Sequence, residues 1–203
     1  MSQPDKIDLF KQFKDEYKQP KKPVLIETTP AKYLVIQGQG VPGGDAFQEA
    51  VGALYSMAFT IKMTRKSAGL GDYVVCKLEA TWWVGDSNDF AQFPQEQWEW
   101  QMMIRTPDCV TETDLEKAQQ AVIAEGKDKA VLCVKLETLH EGRCVQMLHV
   151  GPYDREGETV SVMQAFMQEK ALCVNGRHHE IYLSDPRRVP PERLKTILRI
   201  PVA

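Results

Sequence analysis

The sequence predicts an α+β fold in which a strand–helix–strand–strand unit occurs twice. Each copy takes up about 70 residues. The last strand of each copy ends with the same arrangement of two apolar residues, an arginine, one further residue and a proline, at 103–107 and 197–201. We therefore expect two antiparallel sheets in one pseudo-twofold domain over 1–203, with halves at about 30–107 and 140–203, a connector at 108–139 and a central ligand cleft.

The spacing of apolar residues separates helices from strands in the first half. Apolar residues three or four positions apart predict a short helix at 7–17 and a longer one at 47–62. Alternation of apolar with polar residues, or a run of β-branched and aromatic residues, predicts strands at 32–37, 73–84 and 96–105. The chain thus passes through strand, helix, strand and strand in that order.

The connector and the second half show the same signals. In the connector, the patterns predict a helix at 114–127 and a strand at 130–139. In the second half they predict a strand at 144–150, a helix at 159–172, and strands at 177–184 and 193–201. The order of elements repeats that of the first half, which is why we predict a duplication.

Composition narrows the classes of function. The chain has 203 residues, and its 43% of hydrophobic residues is ordinary for a globular protein. Its formal net charge of −3 argues against a broad nucleic-acid-binding surface. The five cysteines form no Cys-x-x-Cys pair and lie mostly in apolar runs. No apolar run has the length of a signal peptide core or a membrane span. We expect a cytoplasmic protein with no membrane partner and no direct nucleic-acid partner.

The predicted strand at 177–184 carries the first candidate site residues. On a period-2 backbone, His178, Glu180 and Tyr182 point to one side, whereas His179 and Ile181 point to the other, which we expect to be apolar packing. A carboxylate on an interior strand must be paired, take up a proton or face a cavity. We interpret Glu180 as facing a cavity, lined also by His178.

Four tryptophans between positions 82 and 100 supply candidate walls. Trp82 falls on an apolar face and is expected in the core, whereas Trp83 shares a face with charged residues. Trp98 and Trp100 lie two positions apart on one face, so their rings either fill the core or floor a pocket. Such rings beside one carboxylate suit flat or cationic organic ligands.

Other motifs are weaker. The Gly38-x-Gly40-x-x-Gly43 spacing matches a dinucleotide fingerprint, but Pro42 interrupts the turn and no acidic strand end follows about 20 residues later. Adjacent histidines on a strand point to opposite faces, which argues against a metal site. No nucleophile motif of the serine hydrolases occurs. We predict no metal and no cofactor.

Several sequence blocks resemble one known family. They are 47–51 with 54–55, 82–83, 98–100, 141–142 with 146–153, and 178–187 with 194–199, and they include His-Val-Gly-Pro-Tyr and His-His-Glu-Ile-Tyr-Leu-Ser-Asp-Pro. The chain resembles the GyrI-like small-molecule-binding family, and within it the stand-alone branch that includes cyclopropanoid cyclopropyl hydrolases. The resemblance implies the duplicated fold and an aromatic pocket with a glutamate at its base. Thr81 stands where that branch has an apolar residue, which we expect to alter the pocket.

The resemblance also suggests roles for individual residues. We expect Glu180 to activate water and Tyr182 to donate a hydrogen bond while the cyclopropane of a DNA-alkylating compound such as yatakemycin opens. The expected ligand-binding residues are Tyr55, Trp83, Trp98, Trp100, His149, Phe166 and His178.

Two other functions stay open. The same pocket fits a non-catalytic module that sequesters lipophilic or cationic aromatic compounds, with Glu180 as countercharge. A protein that inhibits a partner enzyme through its surface is the third possibility. The oligomeric state is not predicted.

Overall fold

A computed structural model describes residues 6–87, 89–126 and 129–203. In chain order, its helices and strands are α1 Leu9–Gln12, β1 Val24–Glu27, β2 Ala31–Gln39, α2 Asp45–Ser67, β3 Leu78–Trp83, β4 Glu99–Arg105, α3 Glu112–Ala124, β5 Lys135–Leu139, β6 Arg143–Val150, α4 Glu156–Glu169, β7 His178–Tyr182 and β8 Lys195–Pro201. Short 3₁₀ helices occupy Phe90–Gln92, Gln95–Gln97, Lys129–Cys133, Tyr153–Arg155 and Pro191–Arg193.

The strands form one antiparallel sheet with the order β1-β6-β8-β7-β3-β4-β2-β5. The unit β2, α2, β3, β4 is repeated as β6, α4, β7, β8, which confirms the predicted α+β duplication. Each unit contributes a three-stranded sheet, and the two are joined edge to edge where β3 pairs with β7. A pseudo-twofold axis therefore passes between β3 and β7, and β1 and β5 extend the outer edges.

Several elements differ from the sequence prediction. The helix predicted at 7–17 is only four residues long, because the chain turns after Gln12 and directs Glu16 and Tyr17 into the interior. The strand predicted at 73–84 is ordered as a strand only from Leu78, and 129–133 form a 3₁₀ helix rather than the start of β5. Strand β1 was not predicted. The predicted end of α3 at Lys127 lies outside the described residues.

The helices cover one face of the sheet. Leu54, Met57 and Ile61 of α2 are fully buried against this face, together with apolar residues of β2, β3, β4 and α3. Met163 and Met167 of α4 form a second core with β6 and β8. Burial of each such side chain contributes about 1.5–3 kcal/mol, so the cores fix both helices over the sheet.

The opposite face carries a buried network of charges beneath the N-terminal segment. His179 Nε2 lies 3.0 Å from Glu79 and its Nδ1 lies 2.9 Å from Glu141. Arg199 donates to the second oxygen of Glu141 at 2.8 Å. Tyr17 donates to Glu79 at 3.0 Å. His179 therefore belongs to an ion network, which the sequence did not predict, whereas Ile181 on the same face packs with Tyr17 and Ile197 as expected.

The contacts on this face keep both His179 and Glu141 in their charged forms. Burial lowers the pKa of His179, but the adjacent carboxylates outweigh it and raise that pKa to about 9. Burial raises the pKa of Glu141, but His179 and Arg199 outweigh it and lower that pKa to about 2. A short neighbouring pair joins Arg105 to Glu16 at 2.8 Å. We refer to Glu16, Glu79, Arg105, Glu141, His179 and Arg199 as the ion network.

Within the described ranges, no helix combines the length and the apolar character that crossing a membrane requires.

Candidate ligand-binding site

Strand β7 places His178, Glu180 and Tyr182 on the helix-covered face of the sheet. Side chains alternate between the two faces of a strand, so these three residues share one face. In the pairing of β7 with β3, His178 lies opposite Trp82 and Glu180 lies opposite Ala80. Both β3 neighbours belong to the first core. The side of β7 that was predicted to line a cavity therefore belongs to the face of the sheet that α2 and α4 cover, next to the pseudo-twofold axis.

Aromatic rings pack beside β7 on this face. Trp98 stands edge-on to Phe90 at 4.7 Å and to Trp82 at 5.8 Å between ring centroids. Phe90 also lies 5.4 Å from the ring of His178. Phe47 of α2 contacts Trp82 at 6.0 Å and Trp100 at 5.8 Å. We call Phe47, Trp82, Phe90, Trp98 and Trp100 the aromatic cluster.

Gly38 explains how Trp100 fits into the aromatic cluster. Gly38 of β2 pairs directly with Trp100 of β4. A Cβ atom at Gly38 would lie 2.2 Å from the indole, so the ring occupies the space that any side chain would need. The first glycine of the apparent dinucleotide fingerprint therefore serves the packing of a tryptophan.

Glu180 is a buried carboxylate at the edge of the aromatic cluster. It is 7% exposed, it accepts a hydrogen bond from the Tyr182 hydroxyl at 2.7 Å, and its Oε1 lies 3.3 Å from His178 Nε2. Burial and the adjacent Glu180 raise the pKa of Tyr182 well above its ordinary value. In the described part of the chain, no lysine or arginine forms an ion pair with Glu180.

A second carboxyl group lies beside Glu180. Glu156, the first residue of α4, is 8% exposed, and its Oε1 has no hydrogen-bond partner among the described residues. Burial, and then the charge of Glu180, raise the pKa of Glu156 well above its ordinary value. Glu156 therefore keeps a proton at a pH where an exposed glutamate has lost it. We call Glu156 and Glu180 the carboxyl pair.

The structure brings some of the expected site residues together. Trp98 and Trp100 belong to the aromatic cluster, and His178, Glu180 and Tyr182 line its edge. Tyr55 of α2 does not belong to the aromatic cluster. It stacks on Phe59 with 6.2 Å between ring centroids, and it is half-buried near the Leu78 backbone.

Three other expected residues stand elsewhere. Trp83 points to the opposite face of the sheet, where the Arg177 guanidinium lies 3.5 Å over its ring. Phe166 packs in the second core beside Met147. His149 lies 2.8 Å from Thr159 and 3.2 Å from the Pro152 carbonyl, so it fixes the turn that leads into α4.

Thr81 also points away from the aromatic cluster. Its register partners are His179 of β7 and Gln101 of β4, on the face of the ion network. Thr81 therefore does not line the aromatic cluster. Because side chains alternate along β3, Trp82 points into the aromatic cluster instead.

Sequence analysis missed several residues of this site. They are Phe47, Trp82, Phe90, Tyr153 and Glu156. Tyr153 stands edge-on to Tyr182 at 5.8 Å. Trp82 lies in the core as expected, but its pairing with His178 of β7 is long-range, and no local pattern in the sequence indicates it. Phe90 and Glu156 lie in segments predicted as loops, for which no periodicity assigns a direction.

An open groove of about 680 Å³ lies away from the aromatic cluster. It is lined by Phe10, Gln19, Lys77, Val150, Leu183, Ser184, Val189, Arg193 and Lys195. None of these residues belongs to the aromatic cluster or to the carboxyl pair. We place the candidate site at the aromatic cluster, because the raised pKa of the buried Glu156 beside a second buried carboxyl group marks chemistry more directly than the size of an open surface groove.

The described residues contain no group of three or more His, Cys, Asp or Glu side chains that are placed to hold a metal ion.

Comparison with known proteins gives a family and several structural neighbours. The model of a family described as the GyrI-like small molecule binding domain matches residues 21–203. An uncharacterized conserved protein from Listeria innocua is 41% identical, with a TM-score of 0.90, over 98% of this chain and 100% of that one. A hydrolase from Listeria innocua is 40% identical, with a TM-score of 0.89 and the same coverage. No curated protein sequence matches significantly.

A more distant structure shares the fold alone. The C-terminal domain of EcmrR is 8% identical, with a TM-score of 0.58, over 90% of this chain and 97% of that domain.

Proposed function

The chain belongs to the GyrI-like small molecule binding domain family, and we propose that it binds flat, lipophilic aromatic compounds at the aromatic cluster and hydrolyses the cyclopropane of cyclopropanoid DNA-alkylating compounds. The reaction would serve detoxification in the cytoplasm, with no direct nucleic-acid partner. The observation that carries the proposal is the burial of Glu180 beside Tyr182 and His178, the second of which contacts Phe90, without a lysine or arginine partner in the described ranges. The similarity to a hydrolase from Listeria innocua supports hydrolysis as the reaction class.

The rings of the aromatic cluster supply binding and orientation. A planar dienone stacks on the indoles, which fixes the reacting carbon relative to β7. Trp98 Nε1 donates to the Phe93 carbonyl at 2.9 Å, which ties Trp98 to the chain that follows the 3₁₀ helix of Phe90, and the two rings stand edge-on at 4.7 Å.

Glu180 supplies the base in this mechanism. Its carboxylate accepts a proton from a water molecule, and the water oxygen attacks the least hindered carbon of the cyclopropane. The Tyr182 hydroxyl, at 2.7 Å, holds the carboxylate in a fixed orientation. The C–C bond that breaks leaves its electrons in the dienone ring, which becomes an aromatic phenol once its oxygen takes a proton.

A non-catalytic binding module is the second candidate. It is favoured by the same juxtaposition, because aromatic rings beside a carboxylate attract lipophilic cations by stacking, cation–π attraction and charge. The two candidates differ in what leaves the site: a hydrolase releases a ring-opened product, and a binding module releases the ligand unchanged.

Turnover of a cyclopropyl-dienone alkylator, followed by mass spectrometry, tests the proposal. We expect the compound to gain one water in the presence of the wild-type protein and to remain unchanged with Glu180→Gln. Glu169→Gln, an exposed position on α4, is the matched control and should behave as wild type. Intact compound after incubation with the wild-type protein, despite measurable binding, would refute hydrolysis and leave the binding module.

A further inference from the structure

Glu156 is a buried carboxyl group that the mechanism above does not use. Its residue is 8% exposed, and Oε1 is buried without a hydrogen-bond partner in the described part of the chain. Leaving a buried polar atom unsatisfied costs about 1–3 kcal/mol. Such an atom in a folded protein calls for an explanation, and a bound ligand is one.

The groups around Glu156 come from several elements. Strand β7 presents Glu180 and Tyr182, and the turn before α4 presents Tyr153. Thr196 of β8 and Glu180 both interact with the Glu156 carboxyl group by hydrogen bonding, the first lowering and the second raising its pKa, while Oε1 itself has no partner among the described residues. His149 of β6 is turned to Thr159 and to the Pro152 carbonyl. The nearest charge that acts on Glu156 is therefore the negative charge of Glu180.

Tyr182 is poorly suited to protonate a ligand. Its hydroxyl hydrogen is directed to Glu180 at 2.7 Å. Burial and that carboxylate raise its pKa well above the ordinary value for tyrosine, so it releases a proton less readily than a free phenol. A neutral carboxylic acid is a much stronger acid than such a phenol, and Glu156 is the neutral carboxylic acid beside Glu180.

Resting on the hydrolase function proposed above, we infer that Glu156 is the proton donor of the site, with Glu180 as the base, and that the pair selects neutral ligands presenting a carbonyl oxygen. Two neighbouring carboxyl groups, of which one keeps its proton, can divide acid and base roles in this way. The unpartnered Oε1 then has a function, because a ligand carbonyl completes its hydrogen bonding.

The proton balance of the reaction closes within the carboxyl pair. Glu156 gives its proton to the carbonyl oxygen, which becomes the phenol, while one cyclopropane C–C bond breaks. Water forms a C–O bond to the released carbon and gives a proton to Glu180. The pair now carries its proton on Glu180, and transfer between the adjacent carboxyl groups returns it to Glu156. The net change is addition of one water to the substrate.

Kinetics of the isosteric variant test the donor role. Glu156→Gln keeps the size and can still donate a hydrogen bond, but it cannot transfer a proton. We expect kcat for ring opening to fall about 10²–10⁴-fold with KM changed by less than about threefold, and the alkaline limb of the pH–rate profile to disappear. Glu158→Gln, exposed on the same helix, should leave kcat and the profile unchanged. A wild-type rate and profile in Glu156→Gln would overturn the inference.

A direct measurement of the proton keeps this test independent of turnover. In protein labelled with ¹³C at the glutamate carboxyl carbons, the signal missing from Glu156→Gln identifies Glu156. We expect it to titrate well above the ordinary range of glutamate, and to titrate at lower pH in Glu180→Gln, where the neighbouring charge is removed.

The outcomes separate the two claims. Titration of Glu156 as an exposed glutamate would overturn its donor role even if the wild-type protein opens the ring. Titration as expected, with no ring opening by the wild-type protein, would refute the hydrolase function and the donor role that rests on it, while the carboxyl pair itself would stand.

Discussion

The two faces of β7 differ in how they hold charge. On one face, His179 lies between the carboxylates of Glu79 and Glu141. On the other face, Glu180 lies beside the carboxyl group of Glu156 and the hydroxyl of Tyr182. The first face balances each charge with an opposite one, which is how buried ions are tolerated in stable interiors. The second face leaves a negative charge without a lysine or arginine partner in the described ranges. The difference indicates that the ion network serves the fold and the carboxyl pair serves a ligand.

The largest expected effect falls on the carboxyl-pair face. Glu180→Gln should lower kcat for ring opening about 10²–10⁴-fold, because the base is lost. Its free energy of unfolding should stay unchanged or rise, because a buried unpaired charge is removed. Steady-state kinetics and urea unfolding check the two parts. A variant that loses stability and keeps its activity would reverse the assignment of the two faces.

The ion-network face should respond in the opposite way. Arg199→Leu leaves Glu141 without its 2.8 Å partner, and we expect the free energy of unfolding to fall by about 3–5 kcal/mol. Arg187→Leu, whose side chain is 87% exposed, is the control and should change it by less than about 0.5 kcal/mol. Equal stability of Arg199→Leu and wild type in urea would show that the network is dispensable.

The pH dependence of stability should follow the ion network. The pKa of His179 is raised to about 9, so its contribution is full below about pH 6.5 and is lost as the pH rises through 9. The pKa of Glu141 is lowered to about 2, so its contribution is present above about pH 4.5 and is lost as the pH falls through 2.

Urea unfolding from acid to alkaline pH checks this. Between about pH 6.5 and 9 we expect a loss on the order of 3 kcal/mol. His179→Gln should reduce that loss, whereas His140→Gln, at an exposed position, should retain it. A flat profile across this range in the wild-type protein would contradict a charged, network-bound His179.

The smallest expected effect concerns the floor of the aromatic cluster. Gly38→Ala places a methyl group 2.2 Å from Trp100, so we expect a loss of about 1–3 kcal/mol in stability and an altered near-UV circular dichroism spectrum. Gly52→Ala on α2 meets nothing within 4 Å and should stabilise the helix by about 0.5–1 kcal/mol. An unperturbed tryptophan signal in Gly38→Ala would mean that Trp100 packs elsewhere.

Much of the fold followed from periodicity. The duplication was visible because each half repeats the same order of helical and alternating segments, and the period of two placed Glu180 and Tyr182 on one face of β7. Periodicity does not say which face the helices cover. Trp83 shares a face with the charged Lys77 and Glu79 and was expected to bind ligand, whereas Glu79 on that face is fully buried in the ion network.

The carboxyl pair shows where sequence reasoning stops. Glu180 was identifiable because a carboxylate on an apolar strand is costly. Glu156 stands in a polar stretch, where a glutamate at a helix start is ordinary. Its burial arises only when α4 docks over β6 and β8, which is a long-range consequence of packing that no local pattern records.

The most direct test of the central claim is a crystal structure of Glu180→Gln with a cyclopropyl-dienone bound. We predict a ligand stacked within the aromatic cluster, with its reacting ring between the side chains at positions 156 and 180. A ligand seated instead in the open groove lined by Lys77, Arg193 and Lys195 would contradict the account and move the site to the other location.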